Sequence, residues 1–317
     1  MSTVIPLELI REYEKQMREL RIGNTPLVRA QKLEKRLGIR RLHLKNEGAN
    51  PSGTHKDRMA LIYALDARSK GKDTVVAASC GNYGAALAYV CDKLNMKCHV
   101  YLPTEFCAPR RAELLRMGAQ IVDAKGLYED AVAKSIQDAH QKGNYNANAG
   151  GASKELGFYA YSFISKEIAK DLGRQPDWVS VPVGNGTCFV GVWNGFRSMS
   201  MKPRMLGVSN NNSAIRGVVM KTWVETPVPD IKFTEVNEPL AGNVICDAEE
   251  TISAIVESNG AGIEVPDEEL VAASQVIMDE EAIDALPASA GAVWGITKLE
   301  SKNHVFVSVL TGRGHLH

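Results

Sequence analysis

The 317-residue chain has no surplus of charge: 37 Lys and Arg stand against 37 Asp and Glu, with the two signs interspersed. Nucleic-acid and membrane-surface proteins need a basic patch or stripe, so neither partner is expected. The chain also lacks any apolar run of membrane-spanning length,. Its opening, MSTVIPLELIREYEKQMREL, mixes charge with apolar residues at helical spacing, unlike a signal peptide, and a cytoplasmic protein is expected,. Six cysteines, at 80, 91, 98, 107, 188 and 246, include no CxxC pair and sit mostly in apolar surroundings, which predicts reduced structural thiols,. There is no internal repeat, no low-complexity tract and no GxxxxGK[ST],. Without HExxH, and with the terminal GHLH reading as a frayed end, no metal is expected,.

What the chain does have is length and apolar content, 44% hydrophobic, sufficient for a large core that tends to split into two lobes,. Apolar, β-branched runs alternate with amphipathic stretches: DTVVAAS then NYGAALAYVCDKL, KCHVYLP then APRRAELLRMG, AQIVDA then LYEDAVAKSIQDAHQKG. The rhythm resumes with DWVSVPV before TCFVGVWNGFRSM, RMLGVSN before SAIRGVVMKTW, and HVFVSVL near the end. Strand, helix, strand in this order predicts an α/β fold with mainly parallel sheets flanked by helices. Residues 221–246, with three prolines and little periodicity, read as a long irregular loop, either a lid or a surface excursion,.

In such sheets ligands bind beyond the carboxyl ends of the strands. Three of these junctions are rich in small residues: SCGNYGAA, GNGTC and TGRGH. In the second, Gly184, Asn185, Gly186 and Thr187 lead into a helix, where amides, the positive helix end and a hydroxyl would cradle a phosphate,. The same glycines also suit a plain strand-to-helix turn. A dinucleotide GxGxxG fails because Phe189 stands at the third glycine,.

SGTHKDR, SCGNYG, VPVGNGT and VLTGRGH together resemble the fold-type II pyridoxal-phosphate enzymes, the tryptophan synthase β-like superfamily. Within it the chain looks most like the threonine synthases. IGNTPLVRAQKLEKRLGI is similar to that family's first strand and helix, and PASAGAVWGI to its late helix, so the likeness runs in order along nearly the whole chain. The resemblance implies two α/β lobes. Residues 1–61 with 156–317 would form the large cofactor-binding lobe and 62–155 the small mobile one. It implies pyridoxal 5'-phosphate as cofactor, a small amino-acid substrate and a homodimer. No dedicated C-terminal regulatory domain is expected.

By this resemblance Lys56 is the catalytic lysine that bonds to the cofactor aldehyde and then shuttles protons,. A free lysine, with a pKa near ~10.4, is protonated at neutral pH, so burial must favour its neutral form. Asn82 matches the residue that bonds the cofactor's phenolic oxygen, although an Asx cap on the following helix suits it equally,. Gly184, Asn185, Gly186 and Thr187 match the cofactor-phosphate loop, and Thr311 the hydroxyl facing the pyridine nitrogen. Ser79, Cys80 and Gly81 occupy the substrate-carboxylate loop. His55 reads either as a cofactor-phosphate contact or as a packed histidine, and Asp57 with Arg58 as an ion pair holding the loop.

A threonine at the ring nitrogen, in place of an aspartate, makes a weaker electron sink and favours fast loss of a leaving group, hence a lyase. The expected reaction converts O-phosphohomoserine to threonine by elimination and water addition. Three positions depart from the threonine synthase pattern: Tyr83 replaces a small hydroxyl residue, Lys154 stands near where an arginine is usual, and Cys188 replaces an asparagine. Tyr83 and Lys154 remain the candidates for binding the substrate phosphate, with Lys154 a point charge lacking the bidentate fork. β-Replacement or β-elimination on a serine-type amino acid, as in cysteine synthases and dehydratases, is the alternative. A non-catalytic paralogue is opposed by intact Lys56 and Asn82, and a nucleotide or sugar-phosphate binder would show no visible cofactor absorption.

Overall fold

A computed structural model of the protein describes residues 4–79, 81–103, 108–126, 128–148 and 154–314. From the amino terminus come α1 (Leu7–Glu19), β1 (Leu27–Arg29), α2 (Gln31–Leu37), β2 (Arg41–Asn46) and α3 (Lys56–Ser69). Strands and helices then alternate as β3 (Thr74–Ala78), α4 (Asn82–Lys93), β4 (Lys97–Pro103), α5 (Ala108–Arg116), β5 (Gln120–Ala124), α6 (Tyr128–Lys142), β6 (Tyr145–Asn146) and α7 (Lys154–Leu172). The remainder comprises β7 (Trp178–Pro182), α8 (Thr187–Ser198), β8 (Arg204–Ser209), α9 (Ser213–Val219), α10 (Ala248–Glu257), β9 (Ala261–Glu264), α11 (Asp267–Glu281), α12 (Pro287–Thr297) and β10 (Val305–Leu310). Among the described residues no helix is long and apolar enough to cross a membrane.

Two compact units result, Met1–Gly23 with Asn50–Ala160 and Asn24–Ala49 with Tyr161–His317. This partition differs from the expected one in that 1–23, 50–61 and 156–160 fall with 62–155, while 24–49 stays with the C-terminal residues. The physical reason is pairing. α1 lies on α3, with the Tyr13 hydroxyl donating to the Arg58 carbonyl at 3.1 Å, whereas β1 and β2 complete the other unit's sheet.

In the first unit the described strands form a four-stranded parallel sheet, ordered β5-β4-β3-β6. Every residue of β3 is buried, as a strand covered on both faces requires, and α3 is buried continuously from Asp57 to Ala67,. In the second unit the described strands form a six-stranded sheet, β1-β2-β10-β7-β8-β9. β1 runs antiparallel to β2 and the other pairs are parallel. Its core is built on Leu42, Leu44, Trp178, Leu206, Val293 and Phe306, with the Trp178 and Phe306 rings stacked at 6.5 Å.

The 221–246 loop is bonded down along its length. Glu225 accepts the Ser213 hydroxyl at 2.5 Å and the Ile245 N–H at 3.2 Å, and Asn243 exchanges two hydrogen bonds with Val228. It is a pinned excursion whose Pro239 and Leu240 form a wall behind the β7–α8 turn.

Candidate active site

Each unit carries part of the expected site at the carboxyl ends of its strands and the amino ends of its helices. In the first unit Lys56 is the first residue of α3 and is half-buried. The turn before it is held from within the helix. The buried Asp57 carboxylate accepts the Ser52 N–H at 2.9 Å and also the Ser52 hydroxyl. Thr54 Oγ accepts the Lys56 N–H at 3.4 Å and lies 3.3 Å from His55 Nδ1. Asp57 thus braces the loop through Ser52.

Ser79, Gly81, Asn82 and Tyr83 follow β3. Gly81 is the N-cap of α4 and Asn82 its first helical residue. The buried Ser79 Oγ does the capping: it accepts the Gly84 N–H at 2.9 Å and the Gly81 N–H at 3.4 Å. With its oxygen so occupied, its remaining hydrogen-bonding capacity includes the hydroxyl proton, which suits a carboxylate. Cys80 lies outside the described residues. Tyr83 is buried and donates its hydroxyl to the Ala147 carbonyl at 2.5 Å, so that proton is committed to the protein. Asn148, which sequence reasoning missed, closes the β3 end by accepting the Ala78 N–H at 2.9 Å. Lys154 is the first residue of α7, half-buried.

In the second unit β7 and β10 are parallel neighbours, with Ser180 opposite Ser308. Gly184–Thr187 and Thr311 therefore leave the same sheet edge. A Cβ on Gly184 would stand 2.3 Å from the Pro239 carbonyl oxygen, and one on Gly186 would stand 2.3 Å from Thr251 Oγ1. Gly186 is also the N-cap of α8 at φ +90, a conformation closed to L side chains,. This cradle leads into the first turn of α8, whose leading amides stand at the positive helix end,.

The Thr187 side chain departs from expectation: its hydroxyl donates to Asp247 Oδ2 at 2.6 Å, so anion contact falls to backbone amides. Asp247 also donates its N–H to the Asn185 carbonyl at 3.0 Å. The fully buried Asn212 donates to the Gly184 and Leu240 carbonyls at 3.0 and 2.8 Å while capping α9. Ser289 lies 2.8 Å from Thr311 through their hydroxyl oxygens. Of these three residues only Asn212, preceding a helical run, carried a sequence signal, that of an N-cap.

Within the second unit, a glycine cradle at a helix end and a hydroxyl at the neighbouring strand end suit a phosphorylated ring,; within the first, a half-buried lysine starts a helix. The family model for pyridoxal-phosphate dependent enzymes matches residues 18–312. Threonine synthase of Methanocaldococcus jannaschii is 32% identical over 306 residues, 92% of this chain and 75% of that protein. Threonine synthase of Halalkalibacterium halodurans is 30% identical over 305 residues, 92% of this chain and 82% of that one. Among solved structures, maize serine racemase shares the fold with a TM-score of 0.81 at 15% identity, covering 99% of this chain and 95% of that chain.

Proposed function

Because this chain belongs to the pyridoxal-phosphate dependent enzymes, as a lyase related to the threonine synthases, we propose that it converts O-phosphohomoserine and water to threonine and inorganic phosphate. The observation that carries this reading is identity of 30% or more to two threonine synthases over 92% of the chain. Bound at the site, the cofactor supplies an electron sink for negative charge developing on the substrate carbons.

The protein's own groups divide the remaining work. Gly184, Asn185, Gly186 and Thr187 would hold the cofactor phosphate through backbone amides, Thr311 would lie at its ring nitrogen and Asn82 would hold its phenolic oxygen. Lys56 would anchor the cofactor and hold and return protons at the substrate carbons. Ser79, Cys80 and Gly81 bind the substrate carboxylate with N–H groups and the Ser79 hydroxyl proton. Tyr83 and Lys154 are assigned to the substrate phosphate, with Lys154 supplying the charge, since the Tyr83 proton is engaged at Ala147. In the overall change the Cγ–O bond breaks with departure of phosphate, and the oxygen of water ends on Cβ.

That commitment of Tyr83 also favours a second reading, β-elimination or β-replacement on a serine-type amino acid, which needs no phosphate pocket. The two are separated by incubating purified holoenzyme with O-phosphohomoserine, serine, O-acetylserine and O-phosphoserine and measuring products. Threonine and phosphate in equal amounts from the first substrate are expected. Turnover confined to the serine compounds overturns the assignment. Reduction with borohydride and peptide mapping is expected to place the pyridoxyl label on Lys56, and K56A to lose it.

A further inference from the structure

Residues 29–45 depart from the charge balance of the chain: seven Lys and Arg stand there beside a single carboxylate, Glu34. The fold pairs some of these cations and leaves others over. Lys45 is buried against Glu167 at 2.7 Å, Arg36 reaches Glu280 at 2.7 Å, and Arg29 grips Glu34 through two bonds of 3.0 Å. Lys35 and Arg40, joined by Lys302 and Asn303 from the turn before β10, line an open depression of about 500 Å³ together with Glu34 and Gly38. Among the described residues Lys35, Arg40 and Lys302 have no ion-pair partner. Glu34, the acid in the wall, is fully engaged, because besides Arg29 it accepts the Leu42 N–H at 2.9 Å. The carboxyl end of α2, equivalent to about half a negative charge, does not offset three full positive ones,. The two walls are tied by the backbone, with the Arg40 N–H donating to the Lys302 carbonyl at 3.0 Å. Lys302 and Asn303 precede β10, whereas Thr311 follows it, and a strand of this length rises about 20 Å,. The depression therefore sits at the opposite end of the sheet from the glycine cradle.

We propose that this depression is a further anion site, apart from the cofactor cradle, and that it takes a small polyanion built on a chain of phosphates. Three unpaired cations around one cavity repel one another and focus a positive potential that an anion relieves. A single phosphate group carries about 1.5–2 negative charges, so two or three linked groups are needed to engage all three cations. The Arg40 guanidinium offers phosphate oxygens a two-pronged contact, and Lys35 and Lys302 act as point charges on either side. The cations surround one cavity and do not form a stripe, which suits a small molecule and not a nucleic acid. No aromatic ring stands among the described lining residues to stack a base. Free polyphosphate and the phosphate chain of a nucleotide are therefore equivalent ligands.

The test is isothermal titration calorimetry of holoenzyme with tripolyphosphate, ATP and inorganic phosphate, in wild type, K35A, R40A, K302A, the triple variant and K15A, whose exposed lysine lies in the other unit. Lys35 and Arg40 are exposed and Lys302 half-exposed, so the variants leave the core intact. Tripolyphosphate is expected to bind wild type with an affinity that falls as NaCl rises from about 50 to 200 mM. ATP should match it, and inorganic phosphate should bind more weakly. Each single variant in the depression is expected to weaken tripolyphosphate about two- to fivefold, as loss of an exposed ion pair warrants, and the triple variant to lose the binding, with K15A unchanged. No binding of tripolyphosphate to wild type overturns the proposal. So does binding that survives intact in the triple variant, which would put the anion in the glycine cradle or at another site. Equal weakening in K15A would mark diffuse charge and overturn it as well. Binding of ATP with none of tripolyphosphate does the same, because recognition would then lie with the nucleoside.

Discussion

Tyr101, on β4, donates its hydroxyl to Asp138 Oδ2 on α6 at 2.8 Å, and Lys134 and Lys142 flank the same carboxylate one helical turn away on either side. The Tyr101 bond, assisted by the two ammonium groups against partial desolvation, holds the Asp138 pKa below its ordinary 3.8,. A depressed carboxylate pKa stabilises the fold above the unfolded value and loses that contribution as pH falls through the folded one. Y101F is therefore expected to be less stable than wild type at pH 7, and the gap is expected to narrow as pH falls from about 4 through the depressed folded value. Urea unfolding at pH 7, 4 and 3 measures the gap, and a gap independent of pH would reduce Tyr101 to neutral packing. At this scale the helix starts at Lys56 and Asn82 were legible because the motifs around them are short and contiguous. Asp247 was not, since its bond to Thr187 spans 60 residues, and neither was Ser289, whose partner lies 22 residues on. No local pattern signals a partner at such a distance.

The elements were legible where both faces of a strand are buried. KCHVYLP contains β4, DWVSVPV contains β7 and HVFVSVL contains β10, each a run of apolar or β-branched residues beside helical stretches. β9 was harder to see because all four of its residues are half-exposed, and β6 because two residues make no pattern. The 221–246 loop showed its irregularity in sequence, but not its bonds to Ser209, Asn212 and Ser213. Those bonds bring Pro239 against Gly184 and thereby shape the cradle. Gly186 meets the same constraint from Thr251 and Asp247. G186A should strain the backbone and drive a methyl group into Thr251, for a loss of about 2–3 kcal/mol. The measurable result is a lower melting temperature together with release of cofactor on gel filtration. Retention of cofactor at the wild-type level would show that the turn has slack to give.

The whole chain folds by crossing between units, and that crossing is what local reading misplaced. The apolar spacing of α1 announces an amphipathic helix without naming its partner, and Leu9, Tyr13 and Met17 turn out to be its buried residues. Tyr13 reaches 45 residues ahead to Arg58, and its ring lies 6.0 Å from that of Tyr159. At roughly 1.5–3 kcal/mol for each buried side chain, the three contribute up to about 4.5–9 kcal/mol. That is comparable with the entire stability of an ordinary domain, ~5–15 kcal/mol. Removing residues 1–23 should therefore unfold 50–160, the unit that carries Lys56 and Asn82, while 24–49 with 161–317 keeps its own core. Limited proteolysis of the truncated chain reads this directly: cleavage is expected within α3 and β3, with β7–β10 still protected. A synthetic peptide of residues 1–23 added in trans should restore protection, because α1 would recover its surface on α3. If the truncated chain resists protease as well as the full one does, α1 is an accessory, and the first unit's core closes without it.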